Sequence, residues 1–154
     1  MRKEIVAKTI QKRLNKEYSS NIAFDFPASK VLGCWIINDV IRITQGDGIT
    51  VSGSFDLHSW VGYELNSNSK VLIEKHEFEL KIHNPLPNGT VIVSFGKTPY
   101  CDKYELSENK VIYTVKFSYC LEWICDTKLY IEVSNDELDN LIDLQVNEDY
   151  IENE

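Results

Sequence analysis

Four cysteines, three histidines and three tryptophans are the first side chains to consult for chemistry in this chain of 154 residues, which also has eight tyrosines. Cys34, Cys101, Cys120 and Cys125 contain no Cys-x-x-Cys pair. His58, His76 and His83 share no metal-ligand spacing with them, so no metal site is expected. Cys34 and Cys120 lie in apolar or alternating stretches and read as buried or half-buried thiols. Cys101, in a turn region after Pro99, reads as an exposed reduced thiol able to cross-link if its surroundings became oxidising. Asp56 and His58 have the two-residue spacing that would put a base and its orienting partner on one strand face. No nucleophile adjoins them, and a solvated face is the plainer account. There is no nucleophile elbow, zinc-protease helix or phosphate-cradling loop, since Gly46-Asp47-Gly48 joins two strands. The expectation is therefore no catalytic residue, no cofactor and no enzyme.

Trp60 falls on the same side of its strand as Asp56 and His58, which makes the three a candidate surface interface. A bend or bulge that returns Trp60 to the core is the alternative. Exposed aromatics on a β-sandwich can also stack on sugars, so a carbohydrate-binding module stands as the second functional reading.

The elements that must position these residues are mostly strands. Ile49, Val51, Gly53, Phe55 and Leu57 alternate with polar residues, as do Val111, Tyr113, Val115, Phe117, Tyr119, Leu121 and Trp123. Shorter alternations cover residues 91–95 and 129–133. Residues 70–83 contain good helix formers, but Phe78, Leu80 and Ile82 alternate with Glu77, Glu79 and Lys81, which marks a strand. Residues 31–43 are the most apolar stretch and read as a central strand or a hairpin. Seven or so strands joined by turns predict an all-β fold, an antiparallel β-sandwich or barrel-like domain over residues 19–134. Ahead of it, Val6, Ile10 and Leu14 at four-residue spacing, with Ile5 beside them, predict a short basic amphipathic helix within residues 1–18. Residues 135–154 read as an acidic amphipathic tail with a helical stripe through Leu138, Leu141 and Ile142.

The charge is unevenly placed. Residues 1–135 hold 16 basic and 16 acidic side chains, so the whole net charge of -8 lies in the last 19 residues. The first 16 residues carry six basic side chains against Glu4. A neutral body with an acidic tail excludes nucleic acid as the main partner. No run reaches the ~20 apolar residues of a membrane span, so membrane insertion is not expected.

Val31-Leu32-Gly33-Cys34-Trp35-Ile36-Ile37-Asn38 resembles the corresponding segment of the CotE family, outer spore coat morphogenetic proteins of endospore-forming bacteria. Glu4-Ile5-Val6-Ala7-Lys8, the strand Val51–Trp60 and Asp126-Thr127-Lys128-Leu129-Tyr130-Ile131-Glu132-Val133 extend the likeness over nearly the whole chain. The resemblance implies a non-enzymatic scaffold of the mother-cell cytoplasm and then of the spore coat. Such a scaffold assembles with itself as a homo-oligomer, attaches to a coat basement-layer protein and recruits outer coat proteins. Set beside the residues, it points to Ile5, Val6, Ile10 and Leu14 for self-assembly. It points to Asp136, Glu137, Leu138, Asp139, Leu141, Ile142 and Asp143 for recruitment.

Overall fold

A computed structural model describes residues 2–132. The described residues run as seven strands: β1 (Arg2–Phe24), β2 (Lys30–Gln45), β3 (Ile49–Tyr63), β4 (Asn68–Ile82), β5 (Thr90–Phe95), β6 (Tyr100–Ser107) and β7 (Lys110–Glu132). One sheet has the order β2-β3-β4, and the other has β1-β7-β5 with β6 also paired to β7. The expected all-β antiparallel class is what the chain adopts.

The contacts divide the chain into two compact units. The larger comprises Leu14–Pro85 and Val93–Leu121, and the smaller holds residues 2–13, Leu86–Ile92 and residues 122–132. In the larger unit the two sheets pack face to face. Val51, Phe55, Leu57 and Val61 of β3 and Val111, Tyr113, Val115 and Leu121 of β7 are sealed from solvent. This is the period-two alternation of both strands expressed as burial. Phe117 is the aromatic hub. Its ring lies 4.6 Å from Tyr18, 4.8 Å from Phe78 and 5.4 Å from Phe95. Across the same core the hydroxyls of Ser59 and Tyr113, both fully buried, share a hydrogen bond that satisfies two polar groups at once. Burial pushes the Tyr113 phenol pKa above its usual value, with the Ser59 bond opposing, so the phenol stays protonated at neutral pH.

His76 of β4 extends this core. It shares a 3.1 Å hydrogen bond with Tyr18 Oη and sits 5.1 Å from the Phe55 ring. Burial lowers its pKa below 6.5, and the Glu74 charge works in the opposite direction. The unfolded chain therefore takes up this proton first as pH falls. The stability that His76 contributes is complete above pH 6.5 and is lost as the pH drops towards the lowered folded value. Thermal midpoints should fall between pH 7.5 and 5.5, and His76→Phe should lessen that dependence. An equal slope in the variant would show that other groups carry it.

Three expectations need correction. Residues 2–18 are not a helix but most of β1. A stripe of three apolar residues is too narrow to bury a helix, whereas an edge strand pairs its inward-facing backbone groups along β7 and leaves the outward ones to solvent. In the smaller unit Thr9 bonds Thr127 at 2.7 Å, Arg13 pairs with Glu122 at 2.7 Å and Lys128 with Glu4 at 3.4 Å. The charges read as a helix's polar face are thus partly cross-strand pairs. The boundary expected at residue 18 also falls inside β1. Finally, β2 is an edge strand rather than a central one.

Candidate functional site

The outer face of the β2-β3-β4 sheet gathers several of the exposed large apolar side chains of the described residues. Register fixes its composition in three rows: Gly33, Trp60 and Val71; Trp35, His58 and Ile73; Ile37, Asp56 and Lys75. Trp35, Ile37, Trp60 and Val71 are 40, 43, 41 and 42% exposed, and Ile73 is 62% exposed. Their inward neighbours Leu57 and Val61 are at zero. Beyond these rows the face becomes more polar, through a mixed row of exposed Val40, Ser54 and Glu77 and then Arg42, Ser52 and Glu79, and Thr44, Thr50 and Lys81. One end of the sheet therefore presents a contiguous apolar patch and the other a solvated surface, an arrangement typical of a contact surface with a polar rim.

Local structure explains how the patch is held. Gly33 lies between the two indoles: a Cβ there would sit 3.6 Å from Trp60 and 3.7 Å from Trp35. Trp35 stacks on His58, with centroids 5.4 Å apart and planes 22° from parallel. Beneath that stack the buried His58 Nδ1 has no hydrogen-bond partner among the described residues. Asp56 is occupied differently from expectation. Its Oδ2 accepts a 2.8 Å hydrogen bond from Asn38 Nδ2, and Asn38 adopts a left-handed backbone (φ 56°) in the β2 irregularity between Ile37 and Val40. Asp56 thus braces a bulge, while His58 supports an indole.

Trp60 faces solvent. The irregularities that would have turned it inward are in β2 instead, between Val31 and Gly33 and between Ile37 and Val40. The structure brings Trp60, Asp56 and His58 together on one face and adds Trp35, Ile37, Val71 and Ile73. Of these, Val71 and Ile73 carried a partial signal. Val71 and Ile73 have the opposite parity to Phe78, Leu80 and Ile82 in the same strand, so both faces of β4 are partly apolar. The remaining candidates lie elsewhere. Along β1, Val6 is 60% exposed, while Ile5, Ile10 and Leu14 are half-buried and form no helical stripe. Asp136, Glu137, Leu138, Asp139, Leu141, Ile142 and Asp143 lie outside the described residues. Cys101, expected as a reduced thiol, is disulfide-bonded to Cys34 across a Cα separation of 6.8 Å. The pairing joins β2 of one sheet to β6 of the other, a proximity that the chain's spacing did not reveal.

Comparison with curated proteins and with solved structures gives no significant match. The family model described as Outer spore coat protein E (CotE) matches residues 1–154, the whole length of the chain, and the chain therefore belongs to the CotE family of outer spore coat proteins.

Proposed function

We propose that the chain is a non-enzymatic scaffold of the coat that assembles with copies of itself through the outer face of the β2-β3-β4 sheet and recruits other coat proteins through its acidic tail. The exposed cluster of Trp35, Ile37, Trp60, Val71 and Ile73 carries this reading. Large aromatic and aliphatic side chains gathered at the centre of a face are the residue types that dominate interface energetics. The face also suits a second copy. Asp56 and Lys75 stand in the same row, so across a two-fold axis each carboxylate can meet the other copy's ammonium. Residues 1–135 are neutral overall, so the contact face belongs to a body that adds no net repulsion to that of the acidic tails.

Native mass by light scattering is the test. The purified chain should form an oligomer that persists at high salt, because an apolar contact is not screened. Ile73→Lys and Trp60→Arg should reduce it to monomer while the far-ultraviolet spectrum stays unchanged. Wild-type mass in both variants would remove the assignment of this face. Deleting residues 135–154 should leave folding and assembly intact and abolish capture of a coat basement-layer or outer coat protein. A tail-less chain that fails to fold would make the tail part of the domain.

A further inference from the structure

We infer that the Cys34–Cys101 disulfide is a thiol-exchange site, at which an incoming thiolate becomes covalently joined to Cys101. The bond lies at an open cleft of about 520 Å³, lined by Val31, Leu32 and Gly33 on one side and by Asp102, Lys103 and Tyr104 on the other. Neither cysteine is sealed in the core, and both are half-buried. A nucleophile can reach a sulfur without the sandwich opening. The charge at the cleft favours an anion, because the Asp102 carboxylate is engaged by Lys116 at 3.3 Å and the neighbouring Lys103 supplies positive potential.

The two sulfurs are not equivalent. Cys34 lies well inside the sixteen-residue β2, paired to Ser59 with Gly33 and Trp35 in register on either side, although an irregularity between Val31 and Gly33 lies just before it. Cys101 lies near the start of the eight-residue β6, beside a register irregularity between Cys101 and Lys103, and the strand's residues from Asp102 onward are exposed. The backbone around Cys101 has fewer constraints, so Cys101 is the sulfur that can follow an incoming group while Cys34 stays in place. In the step, the thiolate attacks Cys101 Sγ and a new S–S bond forms. The Cys34–Cys101 bond breaks and its electron pair leaves on Cys34 Sγ. The proton lost by the incoming thiol is balanced by the one Cys34 takes up, and no oxidant or reductant is consumed. The product carries a covalent partner on Cys101 and has lost the tie between β2 and β6. This chemistry does not depend on the Trp35–Trp60 face.

The test uses the full-length oxidised chain in native buffer, with reduced glutathione in one arm and an isotope-labelled, fully reduced copy of the chain in the other. After trapping with iodoacetamide, peptides are mapped without reduction. Glutathione should appear on Cys101, with Cys34 alkylated in the same molecules. The second arm should yield mixed-label dimers joined through Cys101. Exchange with glutathione alone would assign the site to small thiols, and exchange in both arms would extend it to protein thiols. A Cys34–Cys101 peptide that persists in native buffer and exchanges only in guanidinium would overturn the proposal. So would adducts confined to Cys34, Cys120 or Cys125. Because the readout is on the wild-type chain, it does not depend on any variant folding.

Discussion

Gly53→Ala is expected to destabilise the fold by about 3 kcal/mol or more, enough to remove much of the stability a domain of this size holds. Gly53 occupies the inner face of β3, where phenylalanine and valine stand at the neighbouring inward positions. A Cβ at this point would lie 2.0 Å from the Val40 carbonyl oxygen and 2.6 Å from Phe78 Cζ. The first of these is backbone, in the segment where β2 irregularly crosses from Ile37 to Val40, so no rotamer change can move it away. Relief would require the bulge to lift off β3, breaking the Asn38–Asp56 bond that braces it. The lifted bulge would also expose the Phe78 side of the aromatic core. Gly46→Ala is the matched control, since nothing lies within 4 Å of a Cβ there, and its effect should stay within about 0.5 kcal/mol. Chemical denaturation of the two variants beside the wild type decides the matter. A Gly53→Ala midpoint equal to that of Gly46→Ala would mean that the bulge does not press on β3 as described.

The same bulge shows why some of the architecture was legible in the sequence and some was not. Strands β3 and β7 keep one parity from end to end. Every apolar position of their alternation, from Ile49 to Leu57 and from Val111 to Trp123, is buried. Strand β2 breaks parity. Ile36 pairs opposite inward Leu57, yet Ile41 and Ile43 pair opposite inward Gly53 and Val51, five and seven residues later. An odd separation cannot keep one face without an inserted residue. Read without the bulge, the stretch looks apolar on both sides and hence central, whereas its outward half is the Trp35–Ile37 part of the patch. Strand β1 failed for a different reason. Val6, Ile10 and Leu14 fit a helical period by themselves, and the deciding factor, a 23-residue β7 available for pairing, is not a local property. Trp60 was legible as an outward aromatic, but its neighbours Val71 and Ile73 depend on the β3–β4 register, which brings together residues more than ten positions apart.

Reducing the Cys34–Cys101 bond, or replacing both residues in Cys34→Ala/Cys101→Ala, should lower stability by about 4 kcal/mol and the thermal midpoint by roughly 10 °C. The size follows from a sequence separation of 67 residues, since freeing a loop of that length returns substantial entropy to the unfolded chain. The fold should nonetheless survive. The Ser59–Tyr113 bond and the Phe78–Phe117 contact join the two sheets through the core and do not involve the cysteines. The loss should therefore be local at first. Amide exchange in β6, held to β7 from Tyr100 to Ser107 by one ladder, should accelerate in reductant, while Val111–Leu121 keeps its protection. The measurement is a melt with and without dithiothreitol, followed by hydrogen exchange under the same two conditions. Equal midpoints would sink the idea that the bond stabilises the sandwich. A lower midpoint with uniform loss of protection would make it a global staple rather than an edge clasp. The local pattern is the one that lets Cys101 exchange partners while the β2-β3-β4 face, with Trp35 and Trp60 on it, stays folded and available to a second copy.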